Sequence, residues 1–551
     1  MPTEVSVLVG GKAGDGINSA GAMVTQLLNH LGYHTYMYFD YPSLIRGGHN
    51  FVIIRGTDHP VGVHRDAVDF VLALSQETVG KHSSRIKDTT ETIYNSDLVR
   101  SGGQGISIQS ILHDENAPAI MGNSAIIGGF AKGAGIGWDT VSDVFSAHIP
   151  KGVDANLRVA RRAYDQVTTV RPIPPLGGRR YSILTGNEAI GLGLFAGGLS
   201  AFVSYPMTPS SSLLHFLAEH AQQFDITVVH PENEIAVILI SLGLSYAGKR
   251  AAVGTSGGGF CLMTEGLSLA GMAEIPLVLV VSQRTGPSTG LPTYTAQSDL
   301  HFILNAGQGE FPRFVVAPGD AGEAYFWSAC AMNIAAKFQI PAFILSDKTL
   351  SEGSYSIDAL QLSKIGADEP VGWDGTLPYL RYADTPSGIS PLAFPGSKDA
   401  VVKVNSYAHD ESGITTEEAE SVVRMTEKRI RKAAGLSREM ETYDTVFFHG
   451  LPDAGTAIAC WGSTKGVCCE VADELGLKVI QPVVMSPFPA DKFRDAMQGA
   501  GRLIAVEENA TGQLAALLRF NTIPVDAMVL HYDGRPLTPD ILRSRIKEVI
   551  P

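Results

Sequence analysis

Two carboxylates two positions apart, Glu232 and Glu234, open a stretch, 235–248, that is apolar on every side with Ala, Gly and Ser interleaved. Such a stretch reads as a buried helix, and residues two apart at its start point in different directions. One acid can serve the helix dipole or a basic partner. The other faces an interior or an interface, where desolvation raises a carboxyl pKa and suits the group to keep or share a proton. Arg284 lies just beyond the apolar strand 276–281, at the rim where α/β sheets bind ligands. Its planar fork fits a carboxylate, and a surface ion pair would account for it as well. Thr208 stands between Pro206 and Pro209 in a rigid turn that leaves one strand and enters a helix. Ser210 or Ser211 can cap that helix, which leaves the Thr208 hydroxyl free for other work. The turn 254–260, Gly-Thr-Ser-Gly-Gly-Gly-Phe, lacks the Lys-Ser/Thr of a phosphate-binding loop, but its glycines let backbone come close to something.

The elements that must hold these groups repeat an α/β pattern three times. Strand candidates at 5–9, 34–39, 51–55, 68–74 and 104–112, with a helix near 150–168, predict a first domain over 1–172 built on parallel strands. A Pro/Gly linker at 171–178 closes it. A second domain, 181–350, has strand candidates at 200–204, 226–229, 251–254, 276–281, 314–317 and 341–345. An irregular arm follows over 351–438, laid on the surface and ending in a charged helix from Thr416 to Ala434 that reads as solvated. A last α/β domain occupies 439–551. Two glycine motifs in the first domain stay incomplete. From Gly11 the order is G-x-x-G-x-G, not the G-x-G-x-x-G of a dinucleotide site, although Asp40 ends the next strand where a ribose-binding acid would sit. Gly14-Asp15-Gly16 starts like a magnesium–diphosphate motif, but no Asn-Asn pair follows it.

Composition excludes other classes. A chain of 551 residues that is 44% hydrophobic builds several cores and is not disordered. A net charge of −14 argues against a nucleic-acid surface. Five scattered cysteines without a C-x-x-C suggest a reduced, cytoplasmic protein with no cluster or zinc site of its own. No apolar run is long enough to span a bilayer, so a soluble protein is expected.

Four segments in order resemble the 2-oxoacid:ferredoxin oxidoreductases, specifically an α-type subunit fused behind a γ-type domain. Tyr205-Pro206-Met207-Thr208-Pro209 is similar to that family's Y-P-I-T-P, and Glu232-Asn233-Glu234-Ile235-Ala236 to its E-x-E-x-A. Gly254-Thr255-Ser256-Gly257-Gly258-Gly259 resembles G-T-S-G-P-G, departing at Gly258. Arg284 to Thr293 is nearly R-x-G-P-S-T-G-x-P-T, followed by Gln297-Ser298-Asp299-Leu300. Upstream, the opening glycines and Arg46-Gly47-Gly48 are similar to the γ-type domain.

The resemblance implies a multi-domain α/β chain: a γ-type domain, a transketolase-like pyrimidine-binding domain and a transketolase C-terminal-like domain. It implies thiamine diphosphate shared with a β-type partner that holds Mg2+ and a [4Fe–4S] cluster, with CoA as co-substrate, ferredoxin as acceptor, and a dimer of heterodimers. The expected reaction is oxidative decarboxylation of 2-oxoglutarate, with pyruvate or a branched-chain 2-oxoacid as the other substrates to weigh. By the same resemblance Thr208, Arg284 and Tyr205 hold the oxoacid. Glu232, with Glu234 as the alternate, hydrogen-bonds the cofactor's aminopyrimidine, and Pro209, Thr255, Gly257 and Gly258 line the cofactor. A dinucleotide-dependent dehydrogenase using the first domain and a non-catalytic scaffold are the competing readings.

Overall fold

The structure is a computed structural model that describes residues 3–42, 48–360, 362 and 364–550. Arg46 and Gly47 lie outside the described residues. The chain forms two compact units, one of Met1–Leu184, Glu352–Gln361 and Thr538–Ser544, the other of Thr185–Ser351, Leu362–Leu537 and Arg545–Pro551.

The first unit carries an eight-stranded sheet in the order Gln104–Ile106, Glu91–Asn95, Phe70–Ala73, Glu4–Lys12, His49–Thr57, His34–Asp40, Ser354–Ile357, Ser182–Thr185. The parallel sheet expected here is in fact mixed. His49–Thr57 runs antiparallel to both Glu4–Lys12 and His34–Asp40, because the connection over 41–48 is too short for a crossover helix. The strand after the glycine turn and its helix, Ile17–His30, is therefore separated from Glu4–Lys12 by His49–Thr57, so no adjacent parallel βαβ pair forms there. Asp40 is buried and accepts a hydrogen bond from Tyr38 Oη at 2.9 Å. Helices Gly122–Gly133 and Val153–Gln166 close the core by an unusually near crossing. A Cβ at Gly128 would come within 2.2 Å of the Ala160 carbonyl oxygen, so only glycine admits the approach.

The second unit holds two sheets. The seven-stranded one runs Val484–Ser486, Phe314–Val316, Pro341–Asp347, Leu277–Gln283, Ala251–Thr255, Ala201–Ser204, Thr227–Val229, parallel except for its first strand. Its central strands are Val/Leu/Ile/Ala runs buried along their whole length, as a sheet covered on both faces requires. From Ala201–Ser204 the chain goes to one side, to Thr227–Val229, and then crosses to the other, to Ala251–Thr255. The order reverses there, and the two loops leaving Ser204 and Thr255 diverge at the sheet's carboxyl end, opening the crevice in which such sheets bind ligands. The second sheet, Val446–Gly450, Lys478–Pro482, Thr456–Ala459, Arg502–Glu507, Ala527–Leu530, is parallel except at Val446–Gly450.

The charged helix, Ala419–Met440, is not simply solvated. Lys428 and Lys432, one turn apart, are fully buried against Glu274, whose carboxylate accepts from Lys428 Nζ at 2.8 and 2.9 Å and pairs with Lys432. Arg381 of the arm donates to the Glu274 carbonyl at 2.7 Å and to Gln339 Oε1 at 3.1 Å. Burial works to raise the Glu274 carboxyl, but Lys432, Lys428 and Arg381 outweigh it and hold it down at about 2. Burial pushes Lys432 down to about 7 against the attraction of that carboxylate.

Candidate functional site

All four segments that could do chemistry meet at the crevice. The turn 205–209 is held in part by two hydrogen bonds: Ser210 N donates to the Met207 carbonyl at 2.8 Å, and Asn187 Nδ2 to the Pro209 carbonyl at 2.9 Å. Arg284, one residue past Leu277–Gln283, donates from Nη1 to the Thr208 carbonyl at 2.9 Å, which brings Thr208 and Arg284 into contact. Burial lowers the Arg284 pKa, and no carboxylate among the described residues pairs with it. A half-buried guanidinium without a counter-ion is arranged to receive an anion. Tyr205, 36% exposed, stands edge-on to His230 with ring centroids 6.0 Å apart. The expected cap from Ser210 is not made: Ser210 Oγ is buried with no partner, against Gly254, where a Cβ would meet it at 2.8 Å.

The second segment corrects the reading of the two carboxylates. The helix begins at Glu234, not before Glu232, because Asn233 is its N-cap, accepting from Ala236 N at 3.0 Å through its side chain. Glu232 precedes the helix and is exposed. Of the two acids, the one that faces the interior is Glu234, which is 4% exposed and whose Oε1 is buried without a hydrogen-bond partner. A buried carboxyl oxygen without a donor costs free energy unless something arrives to use it.

The third segment closes over that oxygen. Thr255 ends its strand fully buried, and Gly257–Phe260 forms one short helical turn. A Cβ at Gly259 would lie 2.6 Å from Glu234 Oε1 and 2.3 Å from Thr255 Oγ1, so the turn rests directly on the carboxyl. Gly258 is different. It is exposed, and a Cβ there would meet only the Ser288 carbonyl oxygen, at 3.8 Å, so its departure from proline carries no steric consequence. Gly257 packs under Asp299, whose Oδ2 would be 2.3 Å from an added Cβ.

Asp299 follows the arginine segment and precedes the helix Leu300–Asn305. An acid before an apolar helical start reads as a cap, yet its side chain caps nothing in Leu300–Asn305. Its backbone N donates to Gln283 Oε1 at 2.9 Å, while burial alone pushes its carboxyl up to about 6. Two acids thus flank one glycine turn, Glu234 on Gly259 and Asp299 on Gly257. Among the described residues no cluster of three or more His, Cys, Asp or Glu is placed to hold a metal ion, and all five cysteines are free. No described helix is long and apolar enough to cross a membrane.

Comparison with known proteins bears on this geometry. Residues 193–428 match the family model for the thiamine diphosphate-binding region of pyruvate flavodoxin/ferredoxin oxidoreductase, and residues 6–166 match the pyruvate ferredoxin/flavodoxin oxidoreductase model. The 2-oxoacid:ferredoxin oxidoreductase subunit alpha of Saccharolobus solfataricus is 30% identical, with 99% of this chain and 98% of the relative aligned. The 2-oxoglutarate oxidoreductase subunit KorA of Mycobacterium tuberculosis is 31% identical over 68% of this chain and 59% of its own length. Among solved structures, the 2-oxoglutarate:ferredoxin oxidoreductase of Magnetococcus marinus, with 2-oxoglutarate, coenzyme A and succinyl-CoA bound, superposes with a TM-score of 0.90 at 28% identity, covering 99% of each chain.

Proposed function

Since this chain belongs to the 2-oxoacid:ferredoxin oxidoreductases, as an α-type subunit, we propose that it works on 2-oxoglutarate, releasing CO2 and forming succinyl-CoA with CoA. In this reading a β-type subunit supplies Mg2+, the diphosphate half of the cofactor site and a [4Fe–4S] cluster that passes electrons to ferredoxin, in a cytoplasmic dimer of heterodimers. The γ-type region would be 1–172, the pyrimidine-binding domain 181–350, the connecting arm 351–438 and the C-terminal domain 439–551. The choice of 2-oxoglutarate is supported by the ligands of the Magnetococcus marinus enzyme and by the KorA relative.

The observation that carries the reading is the unpartnered, buried Glu234 Oε1 under Gly259 at the switch point of the sheet. It fits the ring nitrogen of an aminopyrimidine, which needs one carboxyl as its partner. Thiamine diphosphate, when bound, supplies the acidic carbon that attacks the keto group and the electron sink for decarboxylation. Glu234 would hydrogen-bond the ring nitrogen, a role that falls to it because its Oε1 is buried and without a partner while Glu232 is exposed. Gly257, Gly258, Thr255 and Pro209 would line the ring, and the absence of side chains at Gly257 and Gly259 is what lets Asp299 and Glu234 pack directly on the turn. Arg284 receives the substrate carboxylate as a charge-assisted pair, the Thr208 hydroxyl orients the keto oxygen, and Tyr205 covers the site from the solvent side.

The test is reconstitution. The α-type chain should co-purify with an equimolar second chain, and dye reduction should need both chains, CoA and a 2-oxoacid, with 2-oxoglutarate giving the highest kcat/KM in a substrate panel. Turnover by this chain alone would overturn the two-subunit reading, and a preference for pyruvate or a branched-chain oxoacid would overturn the substrate.

A further inference from the structure

The five-stranded sheet of the second unit supplies none of the groups assigned to the chemistry, yet it grips the loop that carries Arg284. Past Gln283 the chain runs out over 284–297 and folds back on itself. Thr285 is the crossing point. Its N–H donates to the Tyr294 carbonyl at 3.1 Å, its carbonyl accepts from Leu291 N at 3.0 Å, and its hydroxyl donates to the Thr295 carbonyl at 2.8 Å. The loop is closed by these bonds, so a movement of its returning limb reaches Thr285, the residue next to Arg284.

The grip centres on Gln297, which is fully buried. Both ends of its side-chain amide are engaged: Nε2 donates to the Trp461 carbonyl at 2.6 Å, and Oε1 accepts from Glu508 N at 3.0 Å. Its backbone N donates to the Glu508 carbonyl at 2.7 Å, and its carbonyl accepts from Asn509 Nδ2 at 3.0 Å. Trp461 and Glu508 lie just past Thr456–Ala459 and Arg502–Glu507, so one residue is tied to the carboxyl ends of two paired strands. Gly534 makes a second contact. Its carbonyl accepts from Thr295 N at 3.1 Å, and a Cβ there would lie 3.2 Å from both Thr285 Oγ1 and Tyr294 Cβ. An unanchored surface loop samples many positions, and a catalytic or binding group displaced by an ångström loses much of its effect. We propose that Gln297 is the positioning residue for Arg284: by fixing the returning limb of the loop to the C-terminal sheet, it sets where the guanidinium meets the substrate carboxylate.

This inference rests on Arg284 taking the 2-oxoacid, so one of its two readouts is independent of turnover. Hydrogen exchange of the intact α-type chain is compared among wild type, Gln297→Met and Gly534→Ala. Methionine keeps the bulk of Gln297 without its amide. Gly534→Ala presses on the loop from the other contact and keeps the test decisive if Gln297→Met does not fold. Amides of 285–295 should exchange roughly tenfold or more faster in both variants, while those of Leu277–Gln283 stay as in wild type. In the reconstituted enzyme both variants should raise KM for 2-oxoglutarate by roughly 5- to 20-fold with kcat within about threefold, as loss of uniform substrate binding implies. A merely structural role would instead lower the active fraction, and with it kcat, at unchanged KM. Unchanged loop exchange, or faster exchange with unchanged KM, would overturn the proposal. A wild-type enzyme inert toward every 2-oxoacid would overturn the substrate reading instead, and raised loop exchange in the variants would still support the anchor.

Discussion

Gly259 sits on Glu234 so closely that one added methyl carbon would lie 2.6 Å from the carboxyl oxygen. The glycine turn and the acid are therefore one packed unit. Gly259→Ala must push either Glu234 or Thr255 aside. In the reconstituted enzyme it should weaken thiamine diphosphate binding roughly tenfold or more, since overpacking a tight contact costs about 1–3 kcal/mol. Gly258→Ala, which meets nothing nearer than 3.8 Å, should change it by less than about twofold. Cofactor titration followed by intrinsic fluorescence reads both, and equal effects would dissolve the distinction.

Arg284 has no carboxylate partner within the described chain, so removing its charge should be felt by substrate. Arg284→Gln should raise KM for the 2-oxoacid by roughly 10- to 100-fold, the worth of a charge-assisted hydrogen bond. Its stability should fall by only about 1–2 kcal/mol, because the hydrogen bond to the Thr208 carbonyl is lost but no ion pair is. A substantial drop in Tm with unchanged KM would make Arg284 a structural residue.

The buried cluster at Glu274 gives a stability prediction. Glu274→Gln leaves Lys428 and Lys432 buried without their counter-charge and should cost about 3–5 kcal/mol. Replacing Glu274, Lys428 and Lys432 together by apolar residues of similar volume should recover most of that loss. Denaturant unfolding of the three proteins measures it, and a single variant as stable as wild type would show that the cluster contributes no net pairing.

Asp299 sets a pH dependence with a definite sign. Its folded carboxyl titrates at about 6, against 3.8 when unperturbed. Between those values the folded state holds a proton that the unfolded chain has released, so this group's contribution to stability falls as pH rises from about 4 to about 6 and stays low above. Asp299→Asn should therefore raise stability at about pH 7.5, by about 1–3 kcal/mol, and change it little at about pH 4. Thermal melts at the two pH values decide, and an equal effect at both would mean that the carboxyl is not burdened by burial.

Much of this arrangement is legible in the residues themselves, and the misses have physical causes. The strands of the crevice announce themselves as apolar runs, and Thr208, the glycine turn and Arg284 each follow one, at the end where ligands bind. The two acids are harder. Spacing alone does not say where a helix starts, and only the cap at Asn233 separates an exposed Glu232 from a buried Glu234. An asparagine before an apolar run was the available signal. Lys428 and Lys432 look like half of a solvated i,i+4 pattern because their partner, Glu274, lies 154 residues away from Lys428. The mixed sheet of the first unit is not legible in the sequence because alternation of strand and helix suggests parallel pairing, whereas the short stretch 41–48 forces an antiparallel return.

The central claim is that Glu234, not Glu232, holds the proton at the cofactor. Steady-state kcat of the reconstituted enzyme with Glu234→Gln and, separately, Glu232→Gln tests it most directly. The account predicts a fall of roughly 10²- to 10⁴-fold for Glu234→Gln, the usual range for a general acid–base group, and a change of less than about twofold for the exposed Glu232→Gln. A large loss in Glu232→Gln with near-normal turnover in Glu234→Gln would contradict it.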